Sequence, residues 1–167
     1  MSITRNATLS GQIDWAEISV SSFSTASNIG SVGESANLSG GDSGSLVFNC
    51  VFHDEISLSS GGSYVLDLQN LTQELFDETT QINFTNVRGI CLGNKSTVGS
   101  FDVRSTGNNI FFGPMSSGAY YTVYPYSNYN VANPLVGWSI GATTKYLILN
   151  DGGQGCTVDI AIVGVSG

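Results

Sequence analysis

The sequence predicts an all-β fold, a single-domain β-sandwich or jelly roll of roughly eight to ten short antiparallel strands. Apolar residues recur with period two, as in Leu46, Phe48, Cys50, Phe52, Ile56 and Leu58. β-Branched and aromatic runs are bracketed by clusters of Gly, Ser and Asn at short, regular intervals. Helical spacing surfaces once, at Leu71 and Leu75 within 70–78, which is room for one turn.

The strongest strand signal is C-terminal. Tyr146–Asn150 and Cys156–Val163 flank Asp151-Gly152-Gly153-Gln154-Gly155, which predicts a hairpin at the centre of the domain. Val158, Ile160 and Ile162 share one face of the second strand. Ala161 and Val163 make the other face apolar too, so both sides are expected to be covered.

In chain order, residues 1–10 read as a polar N-terminal arm, and 11–167 as one β-sandwich domain. Gln12–Val20 holds the first strand, anchored by Ile13, Trp15 and Ile18. Residues 21–44 are rich in Ser, Gly and Asn and read as a long loop. Ser45–Leu58 is the longest alternating run, with Asp54 breaking its apolar face and predicting a bulge or bend. Tyr64–Leu68 and Gln81–Leu92 follow, then shorter strands at 100–104, 109–112, 119–124 and 137–140.

A chain of 167 residues buries roughly 70% of its unfolded surface as one domain. Charged residues make up 11%, against about 25% in ordinary proteins, and the net charge is −8. Its five cations, Arg5, Arg88, Lys95, Arg104 and Lys145, form no stripe, which argues against nucleic-acid partners and anionic membranes. The opening residues lack the apolar run of a signal peptide, so synthesis in the cytoplasm is expected. Cys50, Cys91 and Cys156 are odd in number, lack CxxC spacing and sit in apolar runs, which predicts reduced, buried thiols.

Three short patterns hint at chemistry, and each fails on its own terms. Gly41-Asp42-Ser43-Gly44 looks like a protease nucleophile loop, but the single histidine, His53, follows the serine instead of preceding it. Gly152–Thr157 resembles one calcium-binding nonapeptide, yet it occurs once and has Thr157 where the liganding aspartate belongs. In His53-Asp54-Glu55 the strand turns Asp54 away from the other two, so at most two ligands converge locally. The expectation is a non-enzyme with no cofactor and no metal site.

Ala119–Asn133 is the most distinctive segment, carrying Tyr120, Tyr121, Tyr124, Tyr126 and Tyr129 without a charge. Tyrosine gives large contact area at low entropic cost, so these residues and Trp15 are the predicted partner-binding residues. The same rings could stack on sugars, or could cover the edge of the core.

From Ser45 onward the chain resembles a group of small β-rich virion proteins of tailed bacteriophages. The resemblance runs through Leu66-Asp67-Leu68, Ile82–Asn94, Asn109–Pro114, Pro134–Trp138 and the closing Ile160–Gly164. It implies a capsid cement or decoration protein on the outer surface of the virion. The implied partners are the major capsid protein and further copies of itself, with a trimer suiting three-fold shell positions. The alternative is a glycan-binding tail or receptor-binding module.

Overall fold

The computed structural model describes residues 2–20, 25–40, 47–75, 78–105, 107–111 and 113–167, with the backbone course alone for 2–39 and residue 75. The strands in chain order are β1 (Ser2–Val20), β2 (Thr25–Gly40), β3 (Val47–Phe48), β4 (Cys50–Leu58), β5 (Ser63–Asp67), β6 (Leu71–Leu75) and β7 (Glu78–Ile82). They continue with β8 (Phe84–Asn94), β9 (Phe101–Arg104), β10 (Tyr120–Val123), β11 (Asn128–Ala132), β12 (Trp138–Ser139), β13 (Tyr146–Asp151) and β14 (Cys156–Ser166). The described residues contain no helix.

Two antiparallel sheets make the sandwich. One is four-stranded, in the order β10-β9-β13-β5; the other is five-stranded, β11-β8-β14-β4 with β12 beside β8. Period-two alternation turns Phe52, Ile56, Leu92, Ile160 and Ile162 of the larger sheet onto Leu66, Phe101, Val103, Leu147 and Leu149 of the smaller, in one buried core. Each such side chain contributes roughly 1.5–3 kcal/mol by leaving water. Val51, Cys91, Ala161 and Val163 are buried as well, although they belong to the opposite face of the larger sheet. Both faces of β14 are therefore covered, as its sequence predicts.

The closing hairpin is corrected. β13 pairs with β5 and β9, whereas β14 pairs with β4 and β8, so the two strands do not pair with each other. They are the inner strands of opposite sheets and face one another through side chains. Leu147 and Leu149 on one run, and Val158, Ile160 and Ile162 on the other, bury more apolar surface stacked than they would side by side. The glycine-rich connector permits the crossing: Gly153 and Gly155 have φ of 115° and 77°. The Asp151 carboxylate accepts the N–H groups of Gly61, Gly153 and Gly155.

Other expectations also change. Residues 2–10, expected as an arm, continue β1, and most of the expected loop at 21–44 is β2, paired antiparallel with β1. A ladder of backbone bonds is indifferent to side-chain polarity, so Ser- and Asn-rich stretches can form it without an apolar signature. Residues 71–75 form a strand, since Leu71 and Gln73 face inward and β7 completes the ladder. Within the expected strand at 109–112, the described residues 109–111 show only a bridge from Ile110 to Tyr146. The β4–β14 register runs through Asp54 without a shift; β4 is an edge strand, and Asp54 reaches solvent there without a bulge. The shifts occur between β8 and β14, at Val163/Gly164 and Val165/Ser166.

Candidate functional site

Strand register brings four connections to one end of the sandwich. Leu58 lies opposite Cys156, Gly93 opposite Asn128, Val123 opposite Phe101, and Asn150 opposite Ser63. The turns at 59–62, 95–100, 124–127 and 152–155 are therefore neighbours, and each carries the chain from one sheet to the other.

Asn94 ties this end together from inside. It is buried at the end of β8, and its Nδ2 donates to the carbonyls of Gly99 (3.0 Å) and Val123 (3.2 Å). Its Oδ1 accepts the Ser96 N–H at 3.0 Å, and its own N–H donates to the Ser127 carbonyl at 2.9 Å. One side chain thus fixes where β10 ends and where the 95–100 turn begins. The 152–155 turn joins through Gly152 N–H on Ser100 O (2.7 Å) and Ser60 Oγ on Gly153 O (2.6 Å).

Tyr124-Pro125-Tyr126-Ser127 is a tight turn closed by Ser127 N–H on Tyr124 O at 3.1 Å, with Ser127 Oγ donating to the same oxygen at 2.7 Å. Proline supplies the fixed φ of the second position. Tyr126 occupies the third position at φ 56°, where a type II turn normally takes Gly or Asn. An L-residue with a large side chain is strained there, and such strain clusters at functional positions.

The six predicted partner-binding residues are not one patch. Tyr120, Tyr121, Tyr124 and Tyr126 are 66%, 50%, 66% and 73% exposed. Tyr124 and Tyr126 sit on the turn. Tyr120 lies farther along β10, with Arg104 of β9 held 5.9 Å from its ring centroid. Tyr121 leans on Tyr129 of β11 at 5.1 Å between centroids, closing the seam between the edge strands of the two sheets. Tyr129 is corrected from the interface set: only 7% exposed, it belongs to the core, and burial followed by Tyr121 pushes its phenol up to about 12. Trp15 is placed on β1 opposite Gly30, and its side chain lies outside the described residues.

The remaining candidates separate similarly. Gly41–Gly44 lies outside the described residues. His53 is half-buried on β4, and its backbone N–H donates to Gln73 Oε1 at 3.3 Å. No group of three His, Cys, Asp or Glu among the described residues is placed to hold a metal ion. The glycines at 152–155 serve the sheet-to-sheet crossing. All three cysteines are buried, and burial pushes the Cys91 and Cys156 thiols up to about 12 and about 11.

Sequence reasoning missed Asn94 and Tyr126 as organising residues. The signal for Tyr126 was present as Pro-Tyr in a turn that would ordinarily read Pro-Gly. Asn94 looked like an ordinary turn residue because two of its partners, Val123 at the end of β10 and Ser127 in the next turn, are remote in sequence. Comparison of the chain with family models, curated proteins and solved structures finds no match.

Proposed function

We propose that this chain is a non-enzymatic structural protein of a tailed-phage particle, a capsid decoration protein that grips the outer surface of the major capsid protein through its tyrosine-bearing end. The observation that carries the binding reading is the strained, exposed Tyr126 beside Tyr124, on a turn anchored to Asn94. Amphipathic rings on a pre-organised frame lose little entropy on docking, so more of their contact energy appears as affinity. The capsid assignment rests on the resemblance in strand patterning, and the low charge suits a wet, polar interface. Copies of the protein would join around shell symmetry axes, with the trimer as the matching state. Shell stabilisation would follow by mass action, since a ligand that binds only the assembled state favours it by its binding free energy.

Cosedimentation with capsids stripped of the protein tests this reading, followed by melting of the bare and occupied shells. Saturable binding with a raised capsid melting temperature is expected, and Tyr124→Ala/Tyr126→Ala should weaken it by about tenfold or more. Absence of binding overturns the capsid reading. A glycan array then tests the tail-module alternative, in which the same exposed rings stack on sugars.

A further inference from the structure

The two sheets finish differently at their two sides. On one side Tyr121 leans on Tyr129 and closes the seam between β10 and β11. On the other side β4 and β5 are the edge strands. β4 is blunted there by side chains. The His53 N–H donates to Gln73 Oε1 of β6 at 3.3 Å, and the Glu55 N–H donates to Asp54 Oδ1 at 2.8 Å. Donors capped in this way cannot recruit a further strand.

β5 has no such cap. Its ladder with β13 is bounded by Asp151 N–H on Gly62 O and Leu68 N–H on Lys145 O, and the register between them is unbroken. Antiparallel bonding alternates along a strand, so Tyr64 and Leu66 bond β13 while the N–H and C=O groups of Ser63 and Val65 face away from it. No backbone group of another described residue bonds these four groups outside the ladder. Ser63 and Val65 are both exposed, Val65 to 51%. Lysine, proline and bulges, the usual protections of an edge, are absent from Ser63–Asp67.

A groove of about 260 Å³ runs beside this edge, lined by Tyr64 and Leu66 of β5, Phe52 and Asp54 of β4, and Leu71 and Thr72 of β6. Period two places Phe52 and Asp54 on the inner face of β4, and Tyr64 and Leu66 on the inner face of β5, so the four converge between the sheets. The groove is smaller than the roughly 300 Å³ at which ligand pockets begin.

We infer that β5 accepts an extended, basic segment of a partner protein as an added strand, bonded to Ser63 and Val65 with alternate side chains in the groove. Donors and acceptors repeating every second residue along an edge match an extended backbone. Residues of the added strand opposite Tyr64 and Leu66 point into the groove, where Phe52, Leu66 and Leu71 favour a small β-branched side chain. The residue opposite Val65 pairs with it on the outer face. Asp54 and Asp67 line the groove and no Lys or Arg does. Asp67 is held by Lys145 at 2.7 Å, whereas Asp54 joins no ion pair among the described residues. With a net charge of −8 on the whole chain, cationic residues flanking the segment are favoured. The groove is bounded by β4 and β6 as well as β5, so it suits a single strand better than the two-layered edge of a second copy. β5 lies at the opposite edge of its sheet from β10, so this site and the tyrosine reading can fail separately.

The test is titration of the full chain with acetyl-Lys-Val-Ser-Val-Ser-Val-Lys-amide, followed by NMR at the Ser63 and Val65 amides. This pattern reads alike in both directions, so the peptide can add parallel or antiparallel. One control is the same peptide N-methylated at two successive central residues, which removes a donor whichever edge turns to β5. The other replaces both lysines with glutamate. Saturable shifts at Ser63 and Val65 are expected, with slowed hydrogen exchange at the Val65 amide and about tenfold weaker binding of each control. Val65→Pro removes an outward N–H and no ladder bond to β13, so it should abolish binding and keep the near-UV circular dichroism of the parent. Asp54→Asn keeps the oxygen that caps Glu55 and should weaken the lysine peptide several-fold. Shifts that never saturate overturn the inference, as does equal binding of the N-methylated peptide. A Val65 amide already protected in a dimer of the unliganded chain gives the edge to a second copy and also overturns it. Tyr126→Ala should leave this titration unchanged.

Discussion

Replacing Tyr126 by glycine should stabilise the fold while weakening docking. The ring is 73% exposed, so its removal forfeits little packing. The backbone sits at φ 56°, where a residue with a Cβ carries roughly 1–2 kcal/mol of strain that glycine relieves. Glycine returns roughly 0.5–1 kcal/mol of this through the freedom of the unfolded chain. The net gain is about 0.5–1 kcal/mol, or about 1–4 °C in melting temperature for a domain of this size. Asparagine tolerates the same conformation without the full glycine entropy, so Tyr126→Asn should gain about as much. Tyr126→Val adds a branch at Cβ in the left-handed region and should fall about 1 kcal/mol below the parent. Thermal melts and urea titrations of the three variants give the order, and capsid cosedimentation of the glycine variant gives the docking loss. If the glycine and asparagine variants both melt below the parent, the ring is packed or the turn unstrained, and the reasoning fails.

Asn94→Ala should lower stability by about 3 kcal/mol, because it strips the donor from the Gly99 and Val123 carbonyls and the acceptor from the Ser96 N–H; a urea midpoint unchanged from the parent would refute its anchoring role. Gly99→Ala should cost about 2–4 kcal/mol, since φ is 84° and a Cβ would collide with the Gly155 carbonyl oxygen; equilibrium unfolding checks it. Alkali should destabilise the fold, because Cys91, Cys156 and Tyr129 hold their protons to about 12, 11 and 12 when folded, against 9.0, 9.0 and 10.0 as ordinary values. The native state then binds more protons than the unfolded state, so stability present below pH 9 declines as pH rises, first through the thiols and then through Tyr129. Urea midpoints at rising pH measure the decline, and Tyr129→Phe should remove the part that sets in above the ordinary phenol value; a flat profile would contradict it.

Period-two alternation was enough to read the all-β class and most strands of the two packed sheets, because those strands have one face in a shared core. It misjudged β2 and the start of β1, where ladder bonds form beneath a polar, aperiodic sequence. It also misjudged how the last two strands relate. Asp-Gly-Gly between two apolar runs specifies that the chain reverses; whether the runs then pair or stack depends on partners contributed by β4, β5, β8 and β9. The tyrosine segment stood out by composition. Yet only the three-dimensional register separates Tyr129, facing the core from β11, from Tyr126 at the turn three residues earlier. The role of Gln73 was invisible in sequence, since it depends on β6 being a strand laid beside His53.

The crossing between β13 and β14 also governs when the domain can first exist. Cys50 pairs with Gly164, and Ser63 with Asn150. The last strands of the domain thus lie inside both sheets, where earlier strands must wait for them. During synthesis, β4, β5, β8 and β9 emerge with their central neighbours still unmade, exposing apolar faces until residues 146–166 leave the ribosome. Non-local pairing of this kind folds slowly and leaves an aggregation-prone interval. Assembly of the sandwich should therefore wait until residues 146–166 are made, and a chain arrested before Tyr146 should engage chaperones instead of folding in part.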